Sequence, residues 1–421
     1  MIKRALFEDL KQHLTQKEMS LIVGPRQAGK TTLMRSLQTY LQEKGEPTLF
    51  LNLDIEHDRQ FFASQDALVK KISLEFGTRF GYVFLDEIQR KENAGLFLKG
   101  LYDMNLSCKF IVSGSGSVEL KEKIHESLSG RKRLFEMTTV TFLEFTHFKT
   151  QYRYEGHSKD FFEIDKMAGR QLLDEYLAFG GYPRVILSET FVEKQKIIDE
   201  IYQSYVEKDI ATLLGVKKTD DFTRLVKLLA HQIGNFVSIS ELSATLGISS
   251  KTVQQYLWYL EKTCIVQKVT PYFTNPRKEI TKSPLFYFKD LGLRNFSAGE
   301  FGSPREGSLG FLFENLVHTI LNEQLRFTGA KIHFWRSKDG AEVDFIVANG
   351  DRIIPIEVKY KSLKKPEITR SLRSFIGKYR PADVWLVNLE LNDDIQISSH
   401  TALHTITSDR MFGAPFFAVE I

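Results

Sequence analysis

The stretch from Met19 to Thr32, MSLIVGPRQAGKTT, narrows the possible folds more than any other part of the chain. Leu21-Ile22-Val23 is a short apolar run that reads as a buried parallel strand. A GPRQAGKT loop follows, and Thr32, Leu33, Leu37 and Leu41 then recur at helical spacing. This is GxxxxGK[ST] between the strand and the helix that it requires. Gly24 and Gly29 let the backbone curl, so that the N–H groups of Arg26-Gln27-Ala28 and the following residues converge as an anion nest at a helix N-terminus. Proline contributes no N–H, so Pro25 only shapes the turn. Lys30 adds a charge for the β- and γ-phosphates of ATP, and the Thr31 hydroxyl is placed to ligate Mg²⁺, with Thr32 opening the helix. A chance glycine-rich turn is the alternative, and the flanking strand and helix speak against it.

After this helix, strand and helix patterns alternate, which predicts a parallel α/β sheet. PTLFLNLD at 47–54 reads as a strand and 66–76 as a helix. GYVFLDEIQ at 81–89 is an apolar strand ending in two carboxylates, at the sheet edge where open α/β folds bind ligands. Asp86 is expected to hold Mg²⁺, and Glu87 to polarise the water that attacks the γ-phosphate. The plainer alternative is a solvated acidic pair. KFIVSGSG at 109–116 breaks into Ser and Gly at the same edge, so Ser113, rather than Ser115, is the candidate to sense the γ-phosphate. In SLSGRKR at 127–133, Arg131, with Arg133 second, is placed to reach a neighbouring subunit's nucleotide. A solvated basic turn is the competing reading.

GPRQAGKTT, LDEIQ, SGS, SGR and TFLEF together resemble an AAA-type P-loop ATPase family of bacteria and archaea. Members of that family join the ATPase to a winged helix and a C-terminal domain long labelled as of unknown function. The resemblance continues through GGYP at 180–183, YVEKDI at 205–210, YFKDLGLRN at 287–295 and EVDF, nearly the whole chain. It implies ATP hydrolysis and leaves the cellular role open.

Residues 151–215 are helical in pattern, with GGYP as a tight turn that reads either as a hinge or as a helix C-cap followed by a turn. From Asp221 the chain reads helix, then helix, Leu246-Gly247-Ile248 turn and a second helix capped by Ser249 or Ser250. This is helix-turn-helix spacing. Lys251 and Gln254 fall on the exposed start of the second helix, where a recognition helix meets DNA. Strands expected near 265–273 and 285–289 make a winged helix, with Arg277, Lys278 and Lys282 on the wing to grip phosphates. Between Lys262 and Arg294 seven basic residues face two acidic ones, while the whole chain carries only +4 from 57 Lys and Arg against 53 Asp and Glu. That local excess favours nucleic acid over a purely structural winged helix.

In HFWRSKDGAEVDFIVANGDRIIPIEVKYK, Glu357 and Lys359 alternate on one strand face, and a hairpin can bring Asp344 beside them. Two carboxylates can share a divalent metal, and a lysine can steady an attacking water. The pattern resembles the PD-(D/E)xK nuclease fold, with Asp344, Glu357 and Lys359 at its motif positions, Glu314 as its helical acid, and Val343 where the usual proline stands. Such domains also bind DNA without cutting it, and a charged hairpin face is the structural alternative. Trp335 and Arg336 can stack on nucleic acid, or Trp335 can be core.

The expected architecture is α/β: an AAA-type parallel sheet at 1–150, a helical segment at 151–220, a winged helix at 221–295 and a nuclease-like α/β domain at 296–421. The expected function is an ATPase acting on DNA as motor or switch. The alternatives are an ATP-gated metal-dependent nuclease and a nucleotide-dependent signalling protein with a protein partner. A homo-oligomer follows if Arg131 acts in trans. Two cysteines far apart, Cys108 and Cys264, and the absence of a long apolar run predict free thiols, no membrane span and a cytoplasmic protein.

Overall fold

The computed structural model describes residues 1–115, 127–205, 220–273 and 283–413. Its first third forms a parallel sheet of β1 (Met19–Gly24), β2 (Thr48–Asn52), β3 (Gly81–Asp86), β4 (Cys108–Ser115) and β5 (Lys132–Glu136), in the order β2-β3-β4-β1-β5. Alternation along these strands sends their side chains into two cores. Leu21, Val23, Val83, Leu85, Phe110 and Val112 pack on one face, and Ile22, Phe84, Ile111 and Phe135 on the other. Helix α1 (Leu6–Gln12) and helix α2 (Lys30–Glu43) cover the second face, α2 burying Leu33, Met34, Leu37 and Leu41. Each such side chain contributes about 1.5–3 kcal/mol. Helices α3 (Gln65–Phe76) and α4 (Ala94–Asp103) cover the first face.

Helices α5 (Phe142–Lys149), α6 (Ser158–Ile164), α7 (Lys166–Phe179), α8 (Pro183–Leu187) and α9 (Phe191–Gln203) follow. Gly180 caps α7 with φ of 71°, and a Cβ there would lie 2.2 Å from the Gly292 nitrogen. The GGYP turn therefore meets the backbone of the distant LGLRN segment, a contact that only glycine on both sides permits. Next come α10 (Asp220–His231), α11 (Ile239–Leu246) and α12 (Ser250–Lys262). Gly247, left-handed at φ 70°, ends α11, and the Ser249 hydroxyl caps α12 by accepting from Thr252 N at 3.1 Å. The expected helix, turn and helix are present, and β6 (Val266–Pro271) pairs antiparallel with β7 (Leu285–Phe288) after them.

Strand β6 changes partner along its length. Val266 to Val269 face β7, whereas Thr270 and Pro271 pair with β8 (Lys331–Arg336). The hairpin thereby joins a sheet that continues through β9 (Glu342–Asn349), β10 (Arg352–Val358), β11 (Asp383–Asn388), β12 (Asp393–Gln396) and β13 (Ala402–Thr407), in the order β12-β13-β11-β10-β9-β8-β6-β7. Between β7 and β8 run α13 (Leu291–Ala298) and α14 (Leu309–Gln324), and α15 (Arg370–Tyr379) precedes β11. Helix α14 covers one sheet face with Leu312, Phe313, Leu316 and Leu321, and α15 covers the other with Leu372 and Phe375. A single apolar cluster runs from Val140 to Met411, across the expected limits at 220 and 295.

Candidate functional site

The carboxyl ends of β1, β3 and β4 lie side by side, and the polar residues there converge. Ile22 pairs with Ser113, Leu85 with Val112 and Asn52 with Asp86, so Asp86 sits between Ser113 and Asn52 at one edge of the sheet. Fully buried Asp86 accepts from Thr31 Oγ1 at 2.7 Å and Asn52 Nδ2 at 3.1 Å on Oδ2, and from the Glu87 N–H at 3.1 Å and the Ser113 hydroxyl on Oδ1. The GKT loop, LDE and SGS segments thus meet as their spacing predicted. Asn52 is an addition, and its place at the end of an apolar strand was the available signal.

The loop leaves β1 at Gly24, where a Cβ would stand 2.2 Å from the Met137 carbonyl oxygen, so the approach of the two backbones excludes any side chain. Lys30 is 5% exposed and donates to Gly24 O at 3.0 Å and Pro25 O at 2.8 Å. Burial holds its ammonium below the ordinary lysine value, opposed by Glu87 and Asp86. Glu87 has φ of 58°, an uncommon conformation for a residue with a side chain, and its carboxylate accepts from the Gln89 amide. Glu87 lines the same open cleft as Ala28, Gly29, Lys30, Thr31 and Thr32, about 2050 Å³ in volume.

Two arginines reach this loop from elsewhere. Arg4 donates to Ala28 O at 2.9 Å, to Thr138 O at 2.7 Å and to Thr139 O at 3.1 Å, and pairs with Glu144 at 3.0 Å in near-complete burial. Glu144 is also the reciprocal member of the Thr141 capping box that opens α5. Arg184, the residue after GGYP, donates to Gln27 Oε1 at 3.0 Å and pairs with Glu200 at 3.0 Å. Nothing local in the sequence marked either one. Arg131 lies at the opposite end of the sheet, where its carbonyl accepts from Met19 N at 2.9 Å and its guanidinium pairs with Asp103 at 2.8 Å. It is out of reach of its own chain's phosphate loop. Exposed Arg133 lies over the Phe327 ring at 5.7 Å.

Residues 16–146 match the family described as AAA domain. They are an AAA-type ATPase domain, a nucleotide-binding unit. Residues 170–303 match a domain of unknown function, DUF8612, and residues 309–405 another, DUF4143. Among whole proteins, an uncharacterized protein of Mycobacterium tuberculosis is 28% identical over 370 residues, covering 87% of this chain and 75% of that one. One of Haemophilus influenzae is 26% identical over 372 residues, with coverage of 86% and 87%. One of Methanocaldococcus jannaschii is 24% identical over 396 residues, with coverage of 92% and 85%. Among solved structures, the replication initiator DnaA bound to AMPPCP and single-stranded DNA aligns with 62% of this chain and 90% of its own, at 15% identity. Its TM-score of 0.31 is too loose a superposition to inform the site.

The second cluster lies in the C-terminal sheet. The antiparallel register of β9 and β10 runs to Ile356 opposite Phe345, which sets Glu357 beside Asp344, and Val358 N donates to Asp344 Oδ2 at 2.7 Å. Lys359 pairs with Glu357 Oε1 at 2.7 Å, while Glu357 Oε2 is buried without a hydrogen-bond partner among the described residues. Glu314, on α14, accepts from the Tyr287 hydroxyl. Burial pushes the Glu314 carboxyl up to about 7, with Glu342 and Glu357 adding repulsion against Tyr287 and Lys359. Burial, Glu314 and Glu357 likewise raise Asp344 well above the carboxylate range. Among the described residues, no group of three or more His, Cys, Asp or Glu is arranged to hold a metal ion.

The basic window divides. Arg294 is 2% exposed, pairs with Glu300 at 2.7 Å and donates to Ala230 O at 2.8 Å, so it is an internal strut and offers nothing to a polyanion. Lys262, Lys268 and Lys289 line the cleft that contains the phosphate loop. Arg277, Lys278 and Lys282 lie outside the described residues. Of the seven basic residues counted in this window, Arg294 is therefore withdrawn from the local charge excess that favoured nucleic acid, because packing buries it against Glu300. Lys251 and Gln254 are exposed on α12 as expected. Trp335 is core, 2% exposed and edge-on to Phe375 at 5.2 Å. Among the described residues neither Cys108 nor Cys264 forms a disulfide, and burial pushes the Cys108 thiol up to about 12. Among the described residues no helix is long and apolar enough to cross a membrane.

Proposed function

We propose that the chain binds ATP with Mg²⁺, hydrolyses it, and uses the cycle to drive or switch an action on DNA. The observation that carries the ATP part is the 2.7 Å contact of Thr31 Oγ1 with Asp86, beside Lys30 and Glu87 in one cleft. Thr31 and Asp86 present oxygen atoms alone, a donor set that suits Mg²⁺, which would neutralise phosphate charge there. Lys30 exchanges its two carbonyl partners for the β- and γ-phosphates, offsetting the cost of its burial. Glu87 orients and polarises the attacking water, and Ser113, bonded to Asp86, senses the γ-phosphate. Arg131 would act only on a neighbouring subunit's nucleotide.

The DNA part is supported by the helix, turn, helix and hairpin sequence from Asp220 to Phe288, read as a winged helix with Lys251 and Gln254 exposed near the start of its second helix. ATP turnover measured with and without DNA tests both parts. Lys30→Ala is expected to lose nucleotide, and Glu87→Gln to bind ATP while losing turnover by about 10²-fold or more. DNA that neither binds nor alters turnover removes the DNA part alone.

A second reading is favoured by the unpartnered Glu357 oxygen. In it, the C-terminal sheet is a nuclease-like site in which Asp344 and Glu357 hold a divalent ion, the source of Lewis acidity for phosphodiester hydrolysis. Lys359 then steadies the water, and Glu314 tunes the charge of the site. Labelled DNA incubated with Mn²⁺ tests it, and cutting equal to that of an Asp344→Ala control removes it.

A further inference from the structure

One peptide unit of the phosphate loop is held from both of its polar ends. The Pro25 carbonyl accepts from Lys30 Nζ at 2.8 Å, and on the other side of that peptide bond the Arg26 N–H donates to the Tyr205 hydroxyl at 2.9 Å. Because the peptide is planar, fixing one end fixes the other. Tyr205 lies 179 residues away, just past the end of α9, and is 2% exposed. Its hydroxyl is hydrogen-bonded to that of Tyr182, which is 1% exposed, in the GGYP turn. Buried hydroxyls that exchange bonds with one another and with a backbone group hold a specific geometry, since each lost partner leaves a polar atom unsolvated.

The support continues around the loop. Beside Tyr182, Gly181 N donates to Asp290 Oδ2 at 2.8 Å, and Asp290 is also bonded to the Thr139 side chain. The Thr139 carbonyl in turn accepts from Arg4, whose guanidinium holds Ala28. Arg26 and Ala28, on either side of Gln27, are thus tied into one buried frame built from α7, α8, α9 and the start of α13.

The geometry points to Tyr205 as a positioning residue for nucleotide binding: its hydroxyl pins the Pro25–Arg26 peptide, and through it the platform from which Lys30 engages phosphate. The inference rests on the ATP reading above. Tyr205 does not touch the nucleotide. It keeps the peptide oriented when Lys30 leaves the Pro25 carbonyl, so that the loop need not be reordered at the moment of binding. Pre-orientation of this kind acts on affinity more than on the chemical step.

Tyr205→Phe removes the hydroxyl and keeps the ring. A fluorescent ATP analogue with Mg²⁺ should bind this variant about three- to tenfold more weakly than the wild type, with KM rising in step and kcat nearly unchanged. Tyr182→Phe should shift affinity in the same direction by less. Hydrogen exchange of a peptide spanning residues 20–32 should be faster in Tyr205→Phe, and the melting temperature of the nucleotide-free protein should fall little. Unchanged affinity with unchanged exchange overturns the inference, and so does a lowered melting temperature with wild-type affinity. If the wild type binds no nucleotide, the ATP reading fails separately, and the exchange measurement still decides whether Tyr205 pins the loop.

Discussion

Two carboxylate sites in this molecule solve the same electrostatic problem in opposite ways. Asp86 is fully buried, yet both of its oxygens are met by donors: Thr31, Asn52, Ser113 and the Glu87 N–H. In the C-terminal sheet Glu314, Asp344 and Glu357 crowd together, one Glu357 oxygen has no hydrogen-bond partner among the described residues, and Lys359 pairs with Glu357. In the first site the polar groups satisfy one another and hold a fixed geometry. The second keeps charge unsatisfied, and protons or a cation must relieve it. Donor count, more than burial, separates an anchored acid from a frustrated one.

Substituting the acids should therefore give opposite signs of stability change. Asp86→Ala leaves four donors without their acceptor, Ser113 fully buried and Thr31, Asn52 and the Glu87 N–H partly so, and should cost about 3–5 kcal/mol, read as a loss of denaturation midpoint. A cost under 1 kcal/mol would break the comparison. Glu314→Gln keeps an acceptor for Tyr287 and removes a buried charge, so at pH 8 it should stabilise the protein by about 1–2 kcal/mol; a loss of stability there would show that the crowding is already compensated.

The pH dependence sharpens the same point. Glu314 is raised from 4.5 to about 7, so between these values the folded state holds more protons than the unfolded one. Stability contributed by this group is present below 4.5 and is lost as pH rises through about 7. The slope should shrink in Glu314→Gln, leaving the part that Asp344, also raised by burial, contributes. A divalent ion bound by Asp344 and Glu357 would compete with those protons, so Mn²⁺ should raise the melting temperature more at pH 8 than at pH 6, and not at all in Asp344→Ala. The smallest effect is expected at Arg131→Ala. Its pair with Asp103 is partly exposed and is worth about 0.2–1 kcal/mol. Turnover should fall only at protein concentrations where chains associate, which light scattering would follow.

Much of the ATPase domain could be read without coordinates. Its strands are apolar runs, its loop is glycine-punctuated, and the acids and Ser113 sit where those runs end, so neighbouring residues alone report the structure. Strand alternation also placed Glu357 and Lys359 together, and the Asp344 register followed from a hairpin. What escaped that reading shares one property. Arg4, Arg184 and Tyr205 reach the loop across 24, 157 and 179 residues, and no periodicity encodes such a meeting. Arg294 looked like a surface cation because a charge count does not record burial, and Glu300, which neutralises it at 2.7 Å, stood outside the window counted.

By itself, then, the amino-acid order determined a phosphate loop on a parallel sheet, a helix-turn-helix pair and a hairpin carrying acids and a lysine, because each depends on φ/ψ preferences and side-chain periods spanning about a dozen residues. Only the tertiary structure decided that β6 would join the second sheet and that Lys262, Lys268 and Lys289 would face the nucleotide cleft. It alone brought a tyrosine from beyond α9 to steady Arg26. Those outcomes belong to packing: which apolar faces could be buried together determined where each charge and hydroxyl had to find its partner.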